Sequence, residues 1–423
     1  NTPPVPLTRG VKVTGAQTSA DSTGAYAVKP GDTVEVVPSQ PVSWATAGSP
    51  LDAIDLLSPS TNGTQWSAKV VNNGTGIVSY TISAKADANT QTADAVLKVA
   101  GGDARNGSYR AFATNGTRQM LALNFDVGTY HWTDSADQVL AGEFVADASE
   151  AGTYVFQSPR ITTAANTARF RVNQDTVIGA FPFVVTQSAT EAYAIQPFLA
   201  SRALETEQAA LDGVYNRFAI DVGPTSQSSN ISQFKISDGG TKLVRCNHMN
   251  IYRIEVCPIA DQQTWFISPG STSGMWTMTE AASPTNTSNI AFARIGNEKV
   301  FLIAGKSPSN PLSAVFRIGV PESSGWPAGT GYGAATPGSW GRVDVSVNET
   351  STRNGVATDG SVVQTFNTFY PMGVSQPAGM RLLPNTSTGA TYFAVQGAKI
   401  FAIIGAHDPS HGTNGYLQLS LMD

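Results

Sequence analysis

Ile295-Gly-Asn-Glu-Lys299-Val-Phe301 and Val395-Gln-Gly-Ala-Lys399-Ile-Phe401 align without a gap, and Gly305 and Gly405 follow in step. Upstream, Ser273-Gly-Met-Trp matches Ala378-Gly-Met-Arg. A second motif recurs three times: Gly107-Ser-Tyr109-Arg-Ala-Phe112, Gly213-Val-Tyr215-Asn-Arg-Phe218 and Gly338-Ser-Trp340-Gly-Arg-Val343. Phe170-Arg-Val-Asn-Gln-Asp-Thr-Val-Ile is a weaker match to the region of Phe292 and Phe301. Self-similarity of this kind decides the fold before any single residue does. It predicts three related units, at about 104–201, 213–321 and 338–423.

Each unit begins with Gly-x-aromatic and ends with paired segments rich in Ile, Val and Phe. Asn115-Gly, Asp238-Gly and Asp359-Gly fall where hairpin turns belong. A unit of ~100 residues exceeds a propeller blade of ~45. It suits a β-meander closing into a small barrel or sandwich, with a propeller-like ring of units as the alternative. Ser201–Leu211 (Ser-Arg-Ala-Leu-Glu-Thr-Glu-Gln-Ala-Ala-Leu) has helix-forming composition. It predicts one short linking helix, with Gly213 as its cap.

Residues 1–101 read as a separate domain. Val11-Lys-Val-Thr, Thr33-Val-Glu-Val-Val, Trp66-Ser-Ala-Lys-Val-Val, Ser79-Tyr-Thr-Ile-Ser and Ala95-Val-Leu-Lys-Val alternate apolar and polar residues. That period of two belongs to half-buried strands. Their spacing predicts a two-sheet sandwich ending near Gly101-Gly102-Asp103. The segment resembles the immunoglobulin-like modules of bacterial surface proteins, without the antibody Cys–Trp–Cys arrangement. The predicted architecture is therefore all-β: an immunoglobulin-like sandwich, then three β-rich units.

Composition narrows the function. The chain has 423 residues, 13% of them charged, against ~25% in an ordinary soluble domain. Its net charge is −5, so a basic nucleic-acid-binding surface is not expected. Hydrophobic residues make up 41%, too many for a disordered chain. No apolar run approaches the ~20 residues of a membrane-spanning helix. Hydroxyls and amides wet the surface instead of charge. Eight Asn-x-Ser/Thr sequons follow from that composition and are not taken as glycosylation sites.

Cys246 and Cys257 have ten residues between them and no CxxC partner pair. A disulfide closing a short loop is expected, with two buried thiols as the alternative. The start Asn1-Thr-Pro-Pro-Val-Pro carries no signal-peptide pattern and would suit an extended tether, lipid-anchored or free.

Four stretches are candidates for chemistry. Trp326, Tyr332 and Trp340 stand in a Gly/Pro-rich run; as exposed rings they would stack on sugars, and as buried rings they would plug a seam between units. Lys242–Arg253 sets Arg245, His248 and Arg253 around the cysteine, where Arg245 and Arg253 could meet phosphate or carboxylate. His407, Asp408 and His411 have metal-ligand types at close spacing, but Pro409 places them in a turn. Asp134, Asp137 and Glu143 offer carboxylates for glycoside hydrolysis, and equally a polar turn. No nucleophile elbow, His-Glu-x-x-His or Ca²⁺ loop appears in the sequence, and no cofactor is implied.

The Ser/Thr/Asn/Gly-rich style, the Pro-rich start, the immunoglobulin-like front and the three Gly-x-aromatic units together resemble a group of secreted, lipoprotein-type β-rich proteins of β-proteobacteria. The resemblance implies a secreted or outer-cell-surface location. No functional residue is carried across by it. The leading expectation is a non-enzymatic binding protein for a glycan, lipopolysaccharide or other envelope component. A secreted hydrolase of polysaccharide or ester comes second, and a structural, adhesin-like assembly protein third.

Overall fold

The computed structural model describes residues 10–48, 60–86, 92–133, 139–185, 192–308, 310–336, 338–374, 376–385, 387–405 and 413–423. Among these, the chain is nearly all β-strand, with no α-helix and four short 3-10 turns. It forms two compact units. The first holds 1–108, 121–132 and 139–143; the second holds 109–120, 133–138 and 144–423.

Two sheets make up the N-terminal region. The first has the order Ala16–Thr18, Gly10–Val13, Thr33–Val37, Gln65–Lys69, Ser60–Asn62. The second runs Ala25–Val28, Ala93–Val99, Val78–Lys85, Ser43–Gly48, and its first pair is parallel. Val34, Val36, Trp66 and Ala68 of one sheet share a core with Tyr80, Ile82, Leu97 and Val99 of the other. The alternation that predicts these strands is the alternation that fills this core.

Two closed eight-stranded barrels follow. The first runs from Gly107–Ala113 to Tyr193–Ser201, and these end strands pair, Ala111 with Ala200 and Ala113 with Phe198. Aromatic rings pack against one another within it. Phe144, Tyr154, Phe156, Phe170, Phe181, Phe183 and Phe198 form a connected run of ring contacts, edge-on, stacked or tilted, at centroid distances of 4.7 to 6.0 Å. Gly179 lies beneath them; a Cβ there would stand 2.7 Å from the Phe198 ring.

The second barrel is an antiparallel meander of Gly213–Val222, Gln227–Ser237, Lys242–Cys246, Gln262–Pro269, Met275–Glu280, Thr287–Ile295, Glu298–Lys306 and Ala314–Pro321. The last strand pairs the first, Ile318 opposite Phe218. One end is packed by Tyr215, Phe234, Trp276, Phe292 and Phe301. Leu211 closes that end, and the Tyr215 hydroxyl donates to its carbonyl at 3.1 Å.

The expected helix at Ser201–Leu211 does not form. Ser201 is the last residue of a strand and pairs with Thr176. Leu204 bridges Ala293, and the Glu205 N–H donates to the Phe292 carbonyl at 2.8 Å. Pairing to the two barrels claims the backbone first, so only Gln208–Leu211 winds, as a 3-10 turn.

The third module is a nine-stranded sheet curled as a half-barrel. Its order is Val362–Thr368, Thr350–Val356, Ser339–Val345, Gly329–Ala335, Leu417–Met422, Ile400–Gly405, Thr391–Gly397, Met380–Pro384, Tyr370–Pro371. The two edge strands are neighbours in the chain, separated by the buried Phe369. Gly329–Ala335, read from sequence as a loop, is a strand. A Cβ on Gly331 would stand 2.5 Å from the Met422 sulfur, and one on Gly333 1.8 Å from the Leu419 carbonyl. Glycine therefore serves close strand approach here, rather than a flexible linker.

Candidate functional site: an arginine-lined cavity in the second barrel

The second barrel holds open space among its side chains. Inside it lies a cavity of about 630 Å³. Its apolar part is walled by Phe234, Leu243, Trp265, Met278, Phe301 and Ile303. Its polar part carries Arg217, Arg245 and Arg317, with Asp221, Asn230, Ser232 and Ser313. The loop Asn247–Tyr252 contributes Asn247, His248, Met249 and Tyr252.

Strand periodicity places the arginines. Arg217 is two residues from the core residue Tyr215, and Arg317 two from Val315. Arg245 stands two residues from Leu243. Each therefore faces the barrel interior. The strands of Arg217 and Arg317 are adjacent, and Arg217 pairs across with Gly319.

The partners of the three differ. Arg317 donates to the Asp221 carboxylate at 2.6 Å and to the Ile220 carbonyl at 2.7 Å. Arg217, only 5% exposed, donates to Asn230 Oδ1 at 2.9 Å and Ser232 Oγ at 3.1 Å, both neutral oxygens. Arg245 donates to the side-chain oxygens of Gln263 and Asn247, and its Nε is buried with no acceptor. Glu280, held by Asn286 Nδ2 at 2.6 Å, acts on Arg245 electrostatically.

Burial, then repulsion from Arg245 and Arg317, pulls the Arg217 guanidinium well below the ordinary arginine value, with Asp221 opposing. Burial, then Arg317, brings Arg245 down to about 10. Both shifts report the same fact: positive charge is concentrated and poorly solvated in this cavity. An isolated charge taken from water costs several kcal/mol unless paired. An anion entering the cavity would supply the missing pairing.

The mouth is held by the disulfide. Cys246 and Cys257 are bonded, as their spacing predicts. The loop between them is pinned on two sides: the Ile254 N–H donates to Gln233 Oε1 at 2.9 Å, and Gln376 Nε2 to the Asn250 carbonyl at 3.0 Å. His248 Nδ1 accepts the N–H groups of Asn250 and Ile251, each at 3.0 Å, which fixes the turn.

Of the residues chosen from sequence, Arg245 lines the cavity. Arg253 turns away, donating to the Val374 carbonyl at 3.0 Å and pairing with Glu255. Trp326, 9% exposed, packs on Phe369 and Phe401 beneath Arg381. Trp340 is buried and donates from Nε1 to Glu150 at 2.9 Å. Tyr332 is half-buried, with the Arg171 guanidinium 3.6 Å over its ring. The structure thus packs these three rings against protein. His407, Asp408 and His411 lie outside the described residues, as do Asp134 and Asp137; Glu143 is exposed. Among the described residues no cluster of His, Cys, Asp or Glu is arranged to hold a metal.

Packing of this kind predicts a result. Trp326→Ala is expected to lower stability by about 3–5 kcal/mol, the cost of emptying a core aromatic site. A denaturant titration measures it, and an unchanged midpoint would show that the ring is not a packing element.

Sequence reasoning did not single out Arg217 or Arg317. The available signal was register: each is a charged residue two positions from a large apolar residue within a strand. A single cation on a strand's core face stands out only once the strand's inward face is known.

No protein family and no curated protein matches the chain. Among solved structures, it is similar to a quinonprotein alcohol dehydrogenase-like protein from Bacteroides thetaiotaomicron, at 10% identity over 99% of both chains with a TM-score of 0.17. It is also similar to a DUF3598-family protein of unknown function from Nostoc punctiforme, at 10% identity over 75% of this chain and 93% of that one, with a TM-score of 0.15. Scores this low carry neither fold nor function to the chain.

Proposed function

We propose that the protein is an exported, non-enzymatic binding protein of the cell surface, and that its second barrel holds an amphipathic anion from the envelope. The observation that carries this reading is Arg217: a buried guanidinium with neutral partners, at the edge of an apolar cavity large enough for a small molecule. The head group, a carboxylate or phosphate, would meet Arg217 and Arg245. The apolar tail would lie against Leu243, Trp265, Met278 and Ile303. Lipid parts of envelope components, including lipopolysaccharide, combine these two chemistries. A glycan reading has less support, because Trp326 and Trp340 are buried.

The same proposal includes the immunoglobulin-like character of the front sandwich and the kinship of the three modules. Two observations support kinship. Gly107, Gly213 and Gly338 all have positive φ, at 150°, 157° and 118°, two residues before the aromatic of the motif. Phe301 and Phe401 both enter a core. The hairpin turn between them and the preceding strand has moved, from Gly296-Asn297 to Ala398-Lys399.

Trp265 gives the test, because it lines the cavity. A bromine-labelled fatty acid is expected to quench the protein's fluorescence saturably, and Trp265→Phe to remove that quenching. No saturable quenching, or quenching unaffected by Trp265→Phe, would overturn the placement.

A further inference from the structure

We infer that the head group taken by the second barrel is a phosphate monoester in its dianionic form, bridging Arg217 and Arg245. The inference rests on the amphipathic-anion reading above and narrows it to one head-group chemistry.

Register brings the two guanidiniums together. Arg217 lies opposite Ser232, and Arg245 opposite Phe234, two residues further along the same strand. One strand therefore separates them, with an offset of one pleat. Their side chains close that offset. Arg217 donates to Ser232 Oγ, on the intervening strand, at 3.1 Å. Arg245 donates to Asn247 Oδ1 at 3.4 Å, and the ladder sets Asn247 level with Ser232. The Asn247 N–H donates to the Asp261 carbonyl at 2.9 Å, so the register holds to that point. Arg217, Ser232, Arg245 and Asn247 all line the cavity. On its other side Arg217 faces Gly319, which presents no side chain. After burial, repulsion from Arg245 is the largest influence lowering the Arg217 pKa.

The acids nearby are engaged elsewhere. Asp221 is bonded to Arg317 at 2.6 Å. Glu280 accepts from Asn286 Nδ2 at 2.6 Å and acts on Arg245 through charge, without a hydrogen bond. The other titratable side chains of the lining bond within their own loop: His248 Nδ1 accepts from the N–H groups of Asn250 and Ile251, and the Tyr252 hydroxyl donates to the Met249 carbonyl at 3.1 Å. Two guanidiniums are left with neutral oxygens as partners, and the buried Arg245 Nε has none.

A carboxylate or a phosphodiester brings one charge, enough for one of them. A phosphate monoester brings about −1.5 to −2 at neutral pH, with three strong acceptor oxygens. Those oxygens match the forked donors of two guanidiniums at once.

Calorimetric titration of the whole protein with dodecyl phosphate and dodecyl methyl phosphate tests this. The two share a tail and a phosphoryl group and differ in one ionisable oxygen. The monoester loses its second proton near pH ~6, so if the dianion alone binds, its affinity rises about tenfold from pH ~5 to pH ~8. The diester stays singly charged throughout and reports any change in the protein's own groups, His248 included. The expected result is the tenfold rise for the monoester and a flat profile for the diester. Arg245→Gln is expected to abolish the rise, and Arg217→Gln serves if that variant does not fold. Equal affinity of the two esters at the higher pH, parallel profiles, or a rise that survives the substitution overturns the inference and leaves the anion reading standing. Inorganic phosphate bound as tightly as dodecyl phosphate keeps the dianion and overturns the role of the tail. Binding of none of the three overturns both.

Discussion

Replacing Arg217 with methionine is expected to raise the melting temperature and to weaken binding of a long-chain anion by roughly 100-fold. The two effects share one cause. Among the described residues Arg217 is a buried cation hydrogen-bonded only to Asn230 and Ser232. An apolar side chain of similar length removes that burden; replacing whole buried ion pairs by apolar residues is neutral or stabilises by about 1–4 kcal/mol, which sets the upper bound of the gain here. Removing one member of a desolvated charge pair in a complex costs about 2–5 kcal/mol, which sets the size of the binding loss. Differential scanning calorimetry reads the first effect and a binding titration the second. A variant that melts lower and binds as before would mean that Arg217 is structural.

The second large effect concerns the disulfide. Cys246→Ser with Cys257→Ser is expected to cost about 3 kcal/mol, as the chain-entropy model gives for closing a loop of this length. Ligand release should also quicken, because Asn247, His248, Met249 and Tyr252 of the clipped loop line the cavity. Equilibrium unfolding and stopped-flow dissociation measure the two. Lost stability with an unchanged release rate would separate the loop from the ligand's path.

These expectations rest on features of unequal legibility. Alternation made the strands readable, as in Thr33-Val-Glu-Val-Val, where Val34 and Val36 are fully buried. The cysteine spacing anticipated the bond. Tyr109 and Tyr215, which share the Gly-x-aromatic motif, both lie in the first strand of a closed sheet. Local composition misled at Ser201–Leu211, where strand pairing outweighs helix propensity. It misled again at Gly329–Ala335, where glycines permit close approach between strands.

The cavity was the least legible feature. Barrel closure brings Arg217, Arg245 and Arg317 together from sequence positions up to a hundred residues apart. A strand with one inward arginine reads like a strand with one outward arginine. The low charge content of the chain therefore had a second meaning: some of its few cations face inward.

Isothermal titration of the intact protein with dodecyl phosphate, dodecanol and dodecyltrimethylammonium tests the account most directly. The three share a tail and differ in head-group charge. The phosphate is expected to bind once per chain, the alcohol far more weakly, and the cation not at all. Equal binding of the alcohol and the phosphate, or no binding of the phosphate, would contradict it.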